Sequence, residues 1–285
     1  MEENELSEVK QEQAGTTAAA TTAVAAVREL LRFPLQDPAW RNKFLIGSGL
    51  IFLNFVIPLL PSLAVSGYCL KIMKQSIRGE TPLLPEWDDW GDLIMEGLKA
   101  TALALIYLAP GYLVLIGGIV VTTFGQLLVL PISGLIASSG DPEALFASVL
   151  ALIGISMGAA LLQIVTVAVG LLVLLLGALP LPLAIANYLH EGEFSAGLRL
   201  RQIWGFFKVN KSGYLAAWVI CIGLLYTLSL SAIFAYMTIV LICLLPFIIC
   251  PVSFYSNLIG ASAFGQYYRE SRAMWEKQVV ELPEI

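Results

Sequence analysis

Six carboxylates within seventeen residues, Glu80, Glu86, Asp88, Asp89, Asp92 and Glu96, have the widest chemical reach in this chain. Oxygen ligands at that density could hold a divalent cation. Their spacing lacks the glycine-centred loop of a calcium site, and Asp89 and Asp92 stand where a helix N-cap and a first-turn acid belong. They read as caps and a solvated acidic surface. The only histidine, His190, is flanked by Glu191 and Glu193 and is the other candidate for moving a proton. Within the apolar stretches there is nothing for it to work with. Residues 103–189 hold only Asp141 and Glu143, and residues 214–268 hold no charge. Proton relays and ion-coupled carriers keep ionisable groups in the membrane at about 2.5–3.5 kcal/mol each, so their absence argues against both. No catalytic residue, cofactor or metal ligand is assigned.

The elements that carry these residues are built for lipid. The chain is 58% hydrophobic and 13% charged, where a soluble domain has about a quarter of its residues charged. All sixteen Lys and Arg fall in residues 10–43, 71–99, 199–211 and 269–277. The positive-inside tendency puts all four blocks on the cytoplasmic face, with both termini there, and leaves the connections around residues 137–143 and Tyr236 outside. The reading is a multi-pass protein of the cell membrane. Cys69, Cys221, Cys243 and Cys250 lack Cys-x-x-Cys spacing and read as buried thiols.

In chain order, residues 1–26 form an acidic, then Ala/Thr-rich disordered tail. Residues 27–268 form a single membrane domain, and residues 269–285 a cytoplasmic tail. Trp40, Arg41 and Lys43 make an aromatic-plus-cation anchor, and the apolar run from Phe44 is interrupted by Pro58-Leu-Leu-Pro61. A tight hairpin returning to the cytoplasm is expected there, with a full crossing at Pro58 as the competitor. After Pro61 one helix runs to Arg78, with Lys71, Lys74 and Arg78 on one face and Leu70, Met73 and Ile77 on the other. Gly79 stops it, and the elbow from Arg78 to Asp92 carries Trp87 and Trp90, which suit the interfacial belt with Trp40 and Trp204.

Residues 98–136 and 144–189 would run about 58 and 69 Å as straight helices, roughly twice the bilayer core. Breaks are available at Pro110-Gly111, Gly117-Gly118, Pro131 and Pro180-Leu-Pro182. One broken span up and one down is the simplest model, and four short spans the alternative. Gly154-Ile-Ser-Met-Gly158 fits close helix packing within the chain. A second elbow runs from Asn187 to Ser195, with Ser195 as N-cap of an interfacial helix. Its apolar side is Leu200, Ile203, Trp204 and Phe207, with Arg199, Arg201 and Lys208 elsewhere. Gln126, Gln163, Asn54 and Asn257 are expected to bond between helices, though they could line a polar path.

The elbows recur. Gly79-Glu80 and Gly192-Glu193 lie 113 apart, Trp90-Gly91 and Trp204-Gly205 lie 114 apart, and Pro131 and Pro246 lie 115 apart. A duplication, with repeats at residues 44–136 and 165–260, follows. The fold class is therefore all-α, a polytopic membrane helical bundle. It has about six membrane segments in three Pro-broken hairpins, with internal duplication and interfacial amphipathic elbows. Eight segments, or five if Pro58 marks one crossing, remain open.

The segments Phe33-Pro-Leu-Gln-Asp-Pro-Ala-Trp40, Arg78 to Asp92, Tyr188 to Ser195 and Phe264-Gly-Gln-Tyr267 resemble the bacterial and archaeal family called domain of unknown function 4013. The resemblance covers residues 30–269 and implies a multi-pass membrane protein without an assigned activity. Three functions are compatible. The favoured one is a non-enzymatic scaffold or interaction module. It would contact anionic lipid through Lys71, Lys74, Arg78, Arg199, Arg201, Lys208 and Lys211, or bind partner proteins, with no role for nucleic acid. A passive transporter or accessory permease subunit for a lipid or small neutral solute is second. An interfacial lipid-headgroup enzyme is third.

Overall fold

The computed structural model describes residues 27–138, 142–236 and 245–281, and among these every regular element is helical. Helical residues 27–32 and a 3-10 turn at Phe33–Leu35 precede α1 (Trp40–Leu53), α2 (Leu60–Arg78), α3 (Trp90–Ala137), α4 (Pro142–Ala178) and α5 (Leu181–Glu191). A second 3-10 turn at Phe194–Leu198 leads to α6 (Leu200–Val209), α7 (Lys211–Tyr236) and α8 (Leu245–Glu281). Three helical stretches are long and apolar enough to cross a membrane: Trp90–Leu127, Pro142–Glu191 and Leu245–Gln278. The pair α6 and α7, bent by 95°, passes the same test only when the two are counted together as one broken span. In the first two the protein itself buries only 6% of the most apolar window. Contiguous apolar surface on that scale is foreign to a water-soluble monomer and suits hydrocarbon. Residues 1–26, residues 139–141 of the connection expected outside, the segment 237–244 with Cys243, and residues 282–285 lie outside the described residues.

The chain divides into two compact units, Met1–Thr101 with Leu183–Ile285, and Ala102–Pro182. The first is organised around α8. Against it α1 runs antiparallel, with Phe52 stacked on Phe247 (5.5 Å) and Phe44 edge-on to Phe254 (5.4 Å). α2 runs parallel to it, placing Tyr68 beside Phe254 (5.8 Å) and the Ser76 hydroxyl 3.2 Å from that of Ser262. α7 returns antiparallel, with Tyr214 against Tyr267 (5.2 Å) and Cys221 beside Gly260. Thus α1 and α2 run antiparallel to each other, the chain turning just before Leu60-Pro61 through Leu59 at φ 79°, a conformation uncommon for leucine. Leu70, Met73 and Ile77 are buried while Lys74 and Arg78 are exposed, as the 3.6-residue period requires. α8 continues without interruption through Arg269 to Glu281. Cys69, Cys221 and Cys250 are free thiols.

In the second unit α3 and α4 run antiparallel, with Gly111 against Leu174, Gly118 against Thr166 and Gly170 against Leu115. Thr122 Oγ1 donates to Gln163 Oε1 at 2.7 Å, the interhelical bond expected of Gln163. Two expectations are corrected here. Pro110 and Pro131 lie inside α3, which is unbroken over 48 residues; of the proline-linked breaks, the one seen among the described residues is at 179–180. A proline removes one donor, and flanking turns keep the helix together where neighbours meet the freed carbonyl. Gly154 and Gly158 are open rather than packed within the chain; a Cβ on either meets nothing within 4 Å.

Candidate membrane-surface site

The elbow is held from three sides. Gly79, at φ 80°, closes α2 in the left-handed conformation that glycine takes without a Cβ penalty. The extended run then lies on α1 and α2. The Leu83 N–H donates to Gln75 Oε1 (3.1 Å), Tyr68 OH donates to the Pro85 carbonyl (2.9 Å), and Trp87 Nε1 donates to the Lys43 carbonyl (3.0 Å). Trp87 stacks on Tyr68 at 4.0 Å and against Trp90 at 5.6 Å. It is partly buried in this stack, whereas Trp90 is 41% exposed.

Lys43 is where the first cation block departs from the sequence reading. It is not a headgroup anchor: its side chain and that of Asp37 are each 8% exposed and 2.9 Å apart. The ammonium also meets Glu86 Oε1 at 2.8 Å and donates to the Leu84 carbonyl at 2.7 Å, so all three of its protons are used. Burial alone would raise the Asp37 carboxyl, but Lys43 and the Ala39 N–H hold it below its ordinary range. Burial likewise works to lower the Lys43 ammonium, and Glu86 and Asp37 outweigh it and raise it. Arg41, two residues earlier, lies with its guanidinium 5.7 Å over the Trp40 ring.

The second elbow is built on Asn187, which is fully buried. Its Oδ1 accepts from Tyr268 OH (2.7 Å), and its Nδ2 donates to the Ala196 carbonyl (2.8 Å) and Gln202 Oε1 (3.4 Å). One amide thus joins α5, the 3-10 turn, α6 and α8. Beside it Tyr188 OH donates to Glu96 at the start of α3, and Glu96 also pairs with Lys99 at 2.7 Å. Ser195 caps nothing. It lies in the 3-10 turn with its hydroxyl on Glu193, and α6 begins at Leu200 after Arg199. The later start rotates the buried face of α6. Ile203 and Phe206 are buried, Phe206 against Tyr268 (5.3 Å) and Trp275 (5.4 Å), while Leu200 and Trp204 are 58% and 57% exposed. Arg201 and Lys208 follow next around the helix, both exposed.

At residues 267–269 of α8 three of the four cation blocks come together, and the first, at Lys43, lies nearer Phe254, against which Phe44 packs. Arg269 Nη1 donates to the Ser76 carbonyl at the end of α2 (3.3 Å), and Tyr267 OH donates to the Phe206 carbonyl of α6 (3.3 Å). The surface cations differ in how much charge they offer. Lys71 lies 3.7 Å from Asp88, whose carboxyl is lowered by backbone N–H groups and by Lys71. Arg199 pairs with Glu191 at 2.7 Å and Glu193 at 3.6 Å. Lys74, Arg78, Arg201, Lys208 and Lys211 have no carboxylate at ion-pair distance among the described residues. A small cleft of about 130 Å³ opens between Lys71, Lys74, Asp92 and Glu96.

The remaining candidates stay apart. His190 is exposed, its ring 5.9 Å from that of Tyr268. Among the described residues no three His, Cys, Asp or Glu side chains are grouped to hold a metal ion. Gln126 and Asn257 are exposed, and Asn54 ends α1.

No curated protein and no solved structure matches the chain. A family model described as "Protein of unknown function (DUF4013)" matches residues 50–245, a span that takes in both elbows and the helices that carry them. The chain therefore belongs to the DUF4013 family.

Proposed function

We propose that this protein is a non-enzymatic, multi-pass module of the cell membrane whose cytoplasmic face binds anionic lipid headgroups and through them organises its surroundings. The convergence of three cation blocks, those of α2, α6 and α8, near residues 267–269 of α8 supports this most directly. If that end of α8 is cytoplasmic, so are both chain termini. The 95° bend between α6 and α7 fits the same picture. With α7 along the membrane normal, α6 lies in the interface, Leu200 and Trp204 dipping toward the acyl chains and Arg201 and Lys208 among the headgroups. The six-segment, three-hairpin arrangement belongs to this proposal. So does the duplication, supported by Gly79 and Gly192, both at positive φ (80° and 77°) just after a helix. The other paired positions occupy different places: Trp90 opens α3, whereas Trp204 is inside α6.

The test is to purify the full chain in mild detergent and identify the phospholipids it retains. The triple variant Arg201→Gln, Lys208→Gln, Lys211→Gln is expected to lose about fivefold of its anionic-lipid retention per cation removed, from about 1 kcal/mol each. Retention should also fall with salt. An unchanged anionic share in the variant would refute the reading.

A further inference from the structure

A groove of about 500 Å³ runs between α1 and the start of α8, away from the cationic elbow of α6. Arg41, Leu45, Gly49 and Phe52 recur every three or four residues along one face of α1 and form one wall; Phe247 and Cys250 belong to the other. Leu45, Phe52 and Phe247 are 76%, 40% and 65% exposed, so the described residues leave this apolar lining open. Arg41 closes one end, exposed and without a carboxylate at ion-pair distance among the described residues. From Arg41 to Phe52 the groove is about 16 Å long. That is half of a hydrocarbon core of about 30 Å, the depth of one leaflet.

We propose that this groove is a binding site for a single anionic phospholipid, one acyl chain lying along Leu45, Gly49 and Phe52 and the phosphate resting on Arg41. Charge and length choose this occupant. The Arg41 cation sits at one end of the groove, beside Trp40, and the lining away from it is apolar, the order of headgroup and acyl chain in a phospholipid. An Arg guanidinium suits a phosphate because its planar fork meets two oxygens at once. The site shares with the function proposed above only the placement of the chain in a membrane, and uses none of the α6 cations.

Gly49 supplies the discriminating variant. A Cβ there meets nothing within 4 Å, so a larger side chain leaves the helix without an immediate clash and points into the groove, and leucine is the better helix former. Its side chain would occupy the space assigned to the acyl chain. The full-length protein in detergent is mixed with phosphatidylglycerol or phosphatidylcholine of matched acyl chains, and bound lipids are counted by native mass spectrometry. The wild type is expected to hold one lipid and to prefer phosphatidylglycerol by about tenfold. Gly49→Leu should lower its occupancy by about tenfold for both lipids at an unchanged melting temperature. Arg41→Gln should keep a bound lipid and lose the headgroup preference. A stepwise series of bound lipids that neither variant alters would overturn the proposal in favour of bulk annular lipid. A lipid-free complex of two chains that Gly49→Leu separates would overturn it in favour of an interface between copies. If the α6 triple variant alone changes lipid binding, the groove proposal fails while the surface reading stands.

Discussion

Replacing Lys43 with methionine is expected to destabilise the protein by about 3–5 kcal/mol, the range for stripping one partner from a buried ion pair. The loss comes less from the missing attraction than from what is left behind. Asp37 would be buried without a counter-ion, and the Leu84 carbonyl would lose its donor. Two companion variants separate these contributions. Glu86→Gln should cost at most about 1 kcal/mol, because the Glu86 side chain is 71% exposed and solvent screens it. Asp37→Asn combined with Lys43→Met should cost less than Lys43→Met alone, since no naked charge remains buried. The readout is the melting temperature in detergent, with hydrogen exchange at residues 82–87 reporting whether the elbow has come loose.

The same pair sets a pH signature. Asp37 is depressed below its ordinary 3.8, so its contribution is full above that value and is lost as pH falls through its lower folded value. Lys43 is raised above 10.5, so its contribution is full below that value and is lost as pH rises through the higher folded one. Stability should therefore be flat from about pH 5 to 9 as far as this pair is concerned. In Lys43→Met the order reverses on the acid side. Burial raises the stranded Asp37 carboxyl once Lys43 is gone, so protonation neutralises it and the penalty of the variant should shrink as pH falls through that raised value. A penalty independent of pH would mean that lost packing, not charge, explains the variant.

What is visible in the sequence and what is not follows from the range of the interactions involved. The cation face of α2, its stop at Gly79 and the acid in the first turn of α3 depend on residues within one helical turn, and the 3.6-residue period shows them directly. Lys43 resembles an interfacial cation because its local neighbours, Trp40 and Arg41, are interfacial types. Its buried partner Asp37 lies six positions back with no periodic signature, and its other two contacts, the Leu84 carbonyl and Glu86, are 41 and 43 positions away and only the folded elbow brings them near. Asn187 is a similar case: its bond to Tyr268 spans 81 residues, and a single amide beside apolar residues has no periodic signature. On α6 the difference is one of phase. A cap at Ser195 would start the helix about one turn early, whereas the intervening 3-10 turn brings Phe206 into the core and leaves Leu200 and Trp204 outside. The unbroken α3 shows the opposite limit, since proline rules drawn from water overstate the break where lipid offers the backbone nothing better than a helix.

Gly67→Val and Gly97→Val are expected to be as damaging as the loss of Lys43, for a steric reason. A Cβ on Gly67 would fall on the Leu93 carbonyl, and one on Gly97 on the Leu63 carbonyl, so α2 and the first turns of α3 cross backbone on backbone. No rotamer change can relieve overlap with a main-chain atom, and the helices must part. Overpacking of this kind costs about 1–3 kcal/mol even where side chains can yield, and here the displaced crossing also carries Lys71, Asp92 and Glu96 of the surface cleft. Backbone-on-backbone contact leaves no side chain between the helices that could repack, so little else compensates. Gly223→Ala provides the control. Gly223 lies mid-helix in α7, where an added Cβ would meet no atom within 4 Å, and alanine there should stabilise by about 0.5–1 kcal/mol through helix propensity. Opposite signs for Gly67→Ala and Gly223→Ala, read as melting temperatures in the same detergent, would show that the α2–α3 crossing is set by atomic contact. Equal stabilisation by both would mean that the helices do not meet there. The cationic ends of α2 and the acidic start of α3 would then be placed on one surface by the Lys43 network alone.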